Sequence, residues 1–175
     1  MSEQPGRYQR SFSGMVGALL VLLLVVIAFV AFRGTVRDND ATPVKTVDYA
    51  EELPFIREEA DFPVLAPPSL PDGWRATSLR FENTRPQSWH LGMLTDKGDY
   101  VGLEQSRESE AVMVDDRVDT EAVEEGPVTV AGEKWNSYSD AGGDYALVRR
   151  SGGVTTLVVG TLPEDELIEF VASLG

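Results

Sequence analysis

The chain has 175 residues, of which 29 are acidic and 15 are basic, so its formal net charge is −14 at pH 7. A surface this acidic repels phosphate backbones and anionic lipid headgroups, which excludes nucleic acid as a partner. The sequence contains no cysteine, and this excludes disulfide bonds and a lipid-modified cysteine.

The first feature in chain order is an apolar run over residues 14–32, in which no side chain is charged or carries an amide or hydroxyl group. A bilayer core about 30 Å thick needs roughly 20 such residues in a helix. The run is longer than the apolar region of a secretory signal peptide, about 7–15 residues, and it ends at a poor cleavage site. We therefore predict a cytoplasmic tail over 1–13 and an uncleaved transmembrane helix over 14–32.

The basic residues that flank this run do not decide its orientation, because two precede it and three follow it closely. The free amino terminus adds one positive charge to the first side, and large domains translocate whatever their flanking charge. We therefore expect a single-pass protein of the cell membrane, with a cytoplasmic N-terminus and an extracytoplasmic C-terminal domain.

The next segment, residues 33–61, is polar and acidic and is predicted to form an extracytoplasmic stalk. Asp48 and Glu51 have the spacing of a helix capping box, but Pro54 lacks the backbone donor that a continuous helix requires. The stalk is thus expected to hold one short, broken helix. A proline-rich stretch then marks the entry into a globular domain over 62–175.

Alternation of apolar and polar residues dominates this domain and is typical of half-buried β-strands. The alternating segments are 74–82, 88–95, 99–105, 128–139, 144–150 and 154–161. They predict an α+β fold with a twisted, mainly antiparallel sheet of about six strands, packed by helices.

Two segments of the domain have helical spacing instead. Residues 163–174 are predicted to form a helix with an apolar stripe along one side. Thr161 and Glu164 have the spacing of a capping box at the start of this helix. The stripe consists of Leu167, Ile168, Val171 and Leu174. A weaker helical pattern over 108–125 is expected to end at Gly126.

Turn chemistry and the apolar pattern predict the register of two hairpins. A three-residue loop at Asp96-Lys97-Gly98 keeps one face apolar and gives Gly98 the left-handed conformation that this loop class needs. The predicted cross-strand pairs are Leu91 with Leu103, Met93 with Val101, His90 with Glu104, and Gly92 with Gly102.

A two-residue turn at Gly152-Gly153 predicts the further pairs Ala146 with Val159 and Val148 with Leu157. The small aliphatic face of that second hairpin is expected to receive the C-terminal helix.

His90 is the only histidine in the sequence, and its predicted position has two interpretations. Beside Gly92 and Gly102, which have no side chains, a His90–Glu104 pair has room to bind a ligand or to respond to pH. In the other interpretation, the glycines let a helix or loop approach the sheet, and the pair only satisfies its own hydrogen bonds.

Catalytic and metal sites have little support in the sequence. There is no G-x-S-x-G elbow, and the one histidine would have to meet a serine and an acid across the fold. The acidic residues lack the ligand spacings of zinc or calcium sites, and no glycine-rich loop leads from a strand into a helix. We therefore predict no enzyme activity, no bound metal and no cofactor.

The three tryptophans divide into one core residue and two candidate binding residues. Trp89 lies on the apolar face of the first hairpin and is expected in the core. Trp74 follows the proline-rich stretch and Trp135 follows a glycine, so each has a place at the edge of a pocket. The predicted ligand-binding or partner-binding residues are His90, Gly92, Gly102, Glu104, Trp74 and Trp135.

Three stretches, LPDGWRATSLRF, WHLGMLTDKGDYVGLEQS and AGEKWNSYSD, resemble the family called domain of unknown function 4245. The likeness covers the apolar run and nearly all of the domain from about residue 62. It implies a single-span actinobacterial membrane protein with a signal anchor and an external domain, and it brings no known activity. The chain from Gly132 onward is similar in layout to sensor-like domains of some anti-sigma membrane proteins, and an α-β-α sandwich like that of photosystem P subunits is one form of the expected fold.

These features favour a binding or scaffolding module of the cell envelope, anchored through residues 14–32. It is expected to present one sheet face, or a pocket near His90, Glu104 and Trp135, to an envelope or membrane protein. A sensor domain for a small ligand or a cell-wall glycan is the alternative, and an envelope hydrolase is the third candidate.

Overall fold

The computed structural model describes residues 16–17, 19–26 and 45–174. Residues 16–17 and 19–26 are helical, and their large apolar side chains are exposed. Among the described residues, no helix has the length and apolar character needed to cross a bilayer. The predicted tail over 1–13, the rest of the predicted anchor and the stalk up to residue 44 lie outside the described residues.

Residues from Lys45 onward form a compact unit, described to residue 174, with three helices and seven strands. The helices are α1 (Tyr49–Glu59), α2 (Glu110–Arg117) and α3 (Glu164–Ala172). The strands are β1 (Arg75–Glu82), β2 (Ser88–Leu94), β3 (Tyr100–Ser106), β4 (Val123–Val130), β5 (Glu133–Ser139), β6 (Tyr145–Ser151) and β7 (Val154–Gly160). All neighbours pair antiparallel in the order β1-β2-β3-β7-β6-β5-β4. The predicted α+β fold with an antiparallel sheet is confirmed.

The sheet has seven strands instead of about six because the predicted segment 128–139 is itself a hairpin. Its turn lies at Ala131-Gly132, where φ is +48° and +85°. Alanine seldom adopts a positive φ, so this dipeptide is a poor turn signal in the sequence. The new strand β4 also takes the end of the helix predicted over 108–125, which is shorter than expected.

The registers predicted for the two hairpins are confirmed. In the β2–β3 hairpin, His90 pairs with Glu104 and Gly92 pairs with Gly102. Gly98 has a φ of +91°, as its loop class requires. The β6–β7 hairpin pairs Ala146 with Val159 and Val148 with Leu157, around a turn whose two glycines both have positive φ.

The sheet has a hydrophobic core on each side. We call face A the side that carries the larger core, whose sheet residues include Trp89, Leu91, Leu103, Leu147 and Val158. We call face B the side that carries the smaller core, formed around Ala146, Val148, Leu157 and Val159. Helices α1 and α3 contribute to the face A core, and α2 covers face B with Met113 and Val114.

The prediction that the C-terminal helix covers the small aliphatic face is wrong, because α3 packs on face A. Leu162, which leads into α3, is buried in the face A core and turns the chain to that side. The predicted capping box is also wrong, since no side chain caps α3. Instead, the Thr161 hydroxyl accepts a hydrogen bond from the Tyr100 backbone N–H at 3.1 Å, and Glu164 accepts one from the Tyr145 hydroxyl at 2.9 Å.

Helix α1 is continuous, so the prediction that Pro54 breaks it is wrong. Asp48 caps the helix by accepting a hydrogen bond from the Ala50 N–H at 3.1 Å. Tyr49 and Ile56, on either side of the proline, are buried in the face A core. Burial on both sides of Pro54 offsets the one hydrogen bond that the proline removes. The folded unit therefore extends upstream of the boundary predicted at residue 62.

Two side chains of the sheet hold the proline-rich stretch against face A. The Trp89 indole N–H donates to the Leu65 carbonyl at 3.0 Å. Gln105 accepts from the Leu65 N–H at 2.7 Å and donates to the Pro63 carbonyl at 3.3 Å. The stretch has no strand partner, so these side chains satisfy its backbone groups in place of a ladder.

Tyr138 links face B to the start of α2, and its ionisation is expected to destabilise the folded state at alkaline pH. Burial, followed by the Glu110 carboxylate that accepts a hydrogen bond from the Tyr138 hydroxyl at 3.0 Å, raises the pKa of Tyr138 to about 12. The folded state therefore holds this proton more tightly than the unfolded state, whose tyrosine pKa is about 10. We expect the resulting stabilisation to be complete below about pH 10 and to be lost as the pH rises toward about 12.

The measurement is the urea midpoint of the full chain across that pH range, compared with the Tyr138→Phe variant. The difference between the two proteins should shrink as the pH rises. A difference that stays constant would mean that Tyr138 ionises equally in both states.

Candidate functional site

His90 and Glu104 lie side by side on face B, on the neighbouring strands β2 and β3. His90 Nδ1 is 2.5 Å from Glu104 Oε1, and the Glu104 side chain is 7% exposed. An ionised carboxylate only accepts hydrogen bonds, so Nδ1 carries the proton and donates it. The lone pair of the neutral imidazole is therefore on Nε2, which faces away from Glu104.

Ser78 lies on the other side of the imidazole, and no pattern in the sequence singled it out. Its Oγ is 2.8 Å from His90 Nε2. Ser78 is half-buried on β1, where it pairs with Gly92. Since Nε2 carries the lone pair, the serine hydroxyl donates to it. Three adjacent strands thus hold a carboxylate, an imidazole and a hydroxyl in one hydrogen-bonded row.

The space above Gly92 and Gly102 is occupied by the ring of Tyr100. A Cβ on Gly102 would be 2.9 Å from the Tyr100 hydroxyl oxygen. A Cβ on Gly92 would be 3.3 Å from that oxygen and 3.2 Å from His90 Nε2, and it would collide with Ser78 Oγ. The glycines therefore make room for side chains of their own sheet, and three polar atoms converge above Gly92.

Charged groups surround this row on two sides. Arg117, at the end of α2, has its Nε 3.7 Å from Glu104 Oε2. Arg80 is exposed and pairs with His90 across β1 and β2. Burial, followed by the Glu104 carboxylate, raises the pKa of Tyr100. The Tyr100 hydroxyl therefore keeps its proton at neutral pH and remains a hydrogen-bond donor.

The tautomer of the single histidine is a direct prediction of this geometry. We expect neutral His90 to be protonated on Nδ1, because Glu104 accepts there and Ser78 donates to Nε2. Long-range proton–nitrogen NMR correlations of the imidazole distinguish the two tautomers without assignment, since the chain has one histidine.

The Glu104→Leu variant is the control, because it removes the acceptor and should no longer hold one tautomer. Protonation of wild-type His90 on Nε2 would contradict the direction assigned to both hydrogen bonds.

Trp74 lies in a second candidate site, on the side of the unit that α3 covers. Its ring stacks on Phe170, with centroids 5.2 Å apart and the planes at 24°. A cavity of about 490 Å³ opens beside this stack. Its lining residues are Pro71, Trp74, Glu166, Glu169, Phe170 and Ser173. We call it the Trp74 groove, and its volume and aromatic wall are typical of binding sites.

Trp135 does not share a site with His90 and Glu104. It is buried in the face A core, and the Arg149 guanidinium lies over its ring at 5.2 Å. His90 and Glu104 lie on face B, so the sheet separates them from Trp135. The single pocket predicted near these three residues therefore does not form.

The family model described as "Protein of unknown function (DUF4245)" matches residues 7–174, which is nearly the whole sequence. No curated protein is significantly similar to the chain.

Proposed function

The chain belongs to the family of unknown function DUF4245, and we propose that it is a membrane-anchored module of the cell envelope that binds a protein partner. The single observation that carries this proposal is the Trp74 groove, an open cavity with a stacked aromatic wall and two glutamates at its border. Tryptophan is enriched at the centres of protein interfaces because it buries a large area and keeps a polar N–H.

The negative charge around the Trp74 groove favours a basic partner. Glu166 and Glu169 both line it, and the chain as a whole has a net charge of −14. Lys97 pairs with Glu166 at 3.0 Å at the exposed surface, a contact that a competing cation can displace. A lysine or arginine of the partner can lie against the Trp74 ring and near the carboxylates. We infer a partner segment that combines basic and apolar side chains.

The apolar run over 14–32 supports the proposed location. It is long enough to span a bilayer once, and the domain from Lys45 onward would then lie at the outer surface of the cytoplasmic membrane. Protease added to intact cells should digest the domain, whereas a cytoplasmic control protein should survive. Survival of the domain in intact cells, or its recovery in a soluble fraction, would contradict this location.

Site-specific photo-crosslinking in intact cells tests the proposed binding surface. A crosslinking residue at Ser173, which is exposed and lines the groove, should capture one dominant envelope protein. The matched control is Val112, which is exposed on helix α2 at the opposite face of the sheet. We expect no dominant product from position 112.

Two substitutions decide whether capture at position 173 depends on the groove. Trp74→Ala removes the aromatic wall, and Glu169→Lys reverses one border charge. Each should reduce the crosslinked product several-fold if the partner segment is basic and apolar. Equal capture by wild type and both variants would contradict partner binding at the Trp74 groove.

A sensor for a small ligand or a cell-wall glycan is the second candidate, and the volume of the groove favours it. A cavity of about 490 Å³ is large enough for a small organic molecule. A ligand that binds the folded chain raises its melting temperature with concentration. Soluble cell-wall glycan fragments should then raise the melting temperature of wild type but not of Trp74→Ala.

A further inference from the structure

We propose that Ser78 is the nucleophile of a serine hydrolase site for carboxylic esters, with His90 as its general base. The observation behind this proposal is the row that Ser78, His90 and Glu104 form across β1, β2 and β3. The row lies on face B, whereas the Trp74 groove lies on the face A side. The proposed activity is therefore independent of partner binding at that groove.

The arrangement of the three side chains is that of an activated serine. Ser78 Oγ is 2.8 Å from His90 Nε2, and His90 Nδ1 is 2.5 Å from Glu104 Oε1. A serine becomes nucleophilic when an imidazole takes its proton and a carboxylate orients that imidazole. Glu104 acts here as a positioning residue, because it holds the proton on Nδ1 and leaves the Nε2 lone pair toward Ser78.

The proposed reaction begins when Ser78 Oγ attacks the ester carbonyl carbon and its proton passes to His90 Nε2. The carbonyl electron pair moves to oxygen, then returns and breaks the bond to the leaving oxygen, which takes the proton from Nε2. A water molecule next attacks the acyl-serine, and its proton passes through His90 back to Ser78 Oγ. One ester and one water thus give one alcohol and one carboxylic acid, with no other reactant.

Tyr100 supplies the donor that the developing oxyanion needs. Its hydroxyl, Ser78 Oγ and His90 Nε2 all lie around the position that a Gly92 Cβ would occupy. A carbonyl attacked by Ser78 would place its oxygen close to that hydroxyl, and one such donor contributes about 100-fold to 1000-fold in rate. An ester suits this site better than an amide, because an alkoxide is the better leaving group.

The row is partly exposed to solvent, whereas a purely structural network can be fully buried. The His90 side chain is 16% exposed, Ser78 is half-buried, and Tyr100 is 37% exposed. A buried carboxylate–imidazole pair contributes little net stability compared with apolar residues of similar size.

The test is covalent labelling of the full-length protein with a fluorophosphonate probe, followed by mass spectrometry of the labelled peptide. We expect one label, on Ser78. Ser78→Ala should abolish it, and His90→Gln should slow it by about 100-fold or more. Ser151→Ala is the matched control, because Ser151 is exposed at the end of β6, and its labelling should equal that of wild type.

The Glu104→Gln variant separates positioning from a structural role. An amide can present N–H as well as C=O to Nδ1, so the Nε2 lone pair is no longer held toward Ser78. With p-nitrophenyl acetate as substrate, kcat should fall while KM stays unchanged. An unlabelled wild type, a label on another residue, or equal labelling of Ser78→Ala would overturn the proposal.

Discussion

Replacing Trp89 with alanine is expected to lower the free energy of unfolding by about 3–5 kcal/mol. Trp89 has no exposed surface and lies in the face A core. Its indole N–H also donates to the Leu65 carbonyl at 3.0 Å. Alanine would leave a cavity where the indole was and would leave that carbonyl without its partner. Urea unfolding of the full chain, followed by far-ultraviolet circular dichroism, measures the change.

The control for this prediction is Trp89→Phe, which fills most of the volume but cannot donate to Leu65. It should cost about 1–3 kcal/mol, the usual effect when an acceptor withdrawn from solvent loses its partner, and at the lower end of that range because Leu65 is only partly buried. The two variants together separate packing from hydrogen bonding. If Trp89→Ala lowered the free energy of unfolding by less than Trp89→Phe, the result would contradict the burial of the Trp89 ring in the face A core.

The pairing of His90 with Glu104 was predictable because it depends on local information. The backbone hydrogen bond from the Thr95 N–H to the Asp99 carbonyl closes a loop of three residues, in which Gly98 needs a positive φ. Only one register of β2 and β3 then keeps an apolar face. The same reasoning predicted the β6–β7 pairs around Gly152-Gly153. In each case a short turn joins the two strands, so the spacing of residues along the chain determines which side chains meet.

The contact between Ser78 and His90 was not predictable for the opposite reason. The segment between β1 and β2 has no short turn motif, and the register shifts between Ala76 and Ser78. An inserted residue of this kind changes which side chains share a face, and alternation alone does not reveal it. The partner of His90 Nε2 therefore became visible only when β1 was placed beside β2.

The sequence also did not allow a prediction of the face of the sheet on which each helix packs. Alternation shows that Ala146 and Leu147 point to opposite sides, but it does not say which side receives α3. That choice depends on Leu162 and on the large side chains of α3, which pack in the face A core. For the same reason, the prediction that Trp135 lies near His90 is wrong. Strand β5 directs Trp135 to face A, and His90 lies on face B.

Replacing Glu104 with leucine is expected to destabilise the chain by about 1–3 kcal/mol. Glu104 is 5% exposed and accepts the hydrogen bond from His90 Nδ1. Leucine has a similar volume but offers no acceptor, so a mostly buried N–H of the imidazole loses its partner. Arg117 also loses the carboxylate that lies 3.7 Å from its Nε. Urea unfolding of the full chain at neutral pH measures this change.

The double variant His90→Leu with Glu104→Leu shows whether the cost arises from the pair. When both partners become apolar, no buried imidazole N–H remains without an acceptor, and leucine packs well beside Leu157 on face B. The double variant should therefore be at least as stable as Glu104→Leu alone, a strongly non-additive result. Costs that simply add would mean that the two residues act separately. If the double variant regained the free energy of unfolding but lost fluorophosphonate labelling, the His90–Glu104 pair would contribute to the reactivity of Ser78 and not to the stability of the fold.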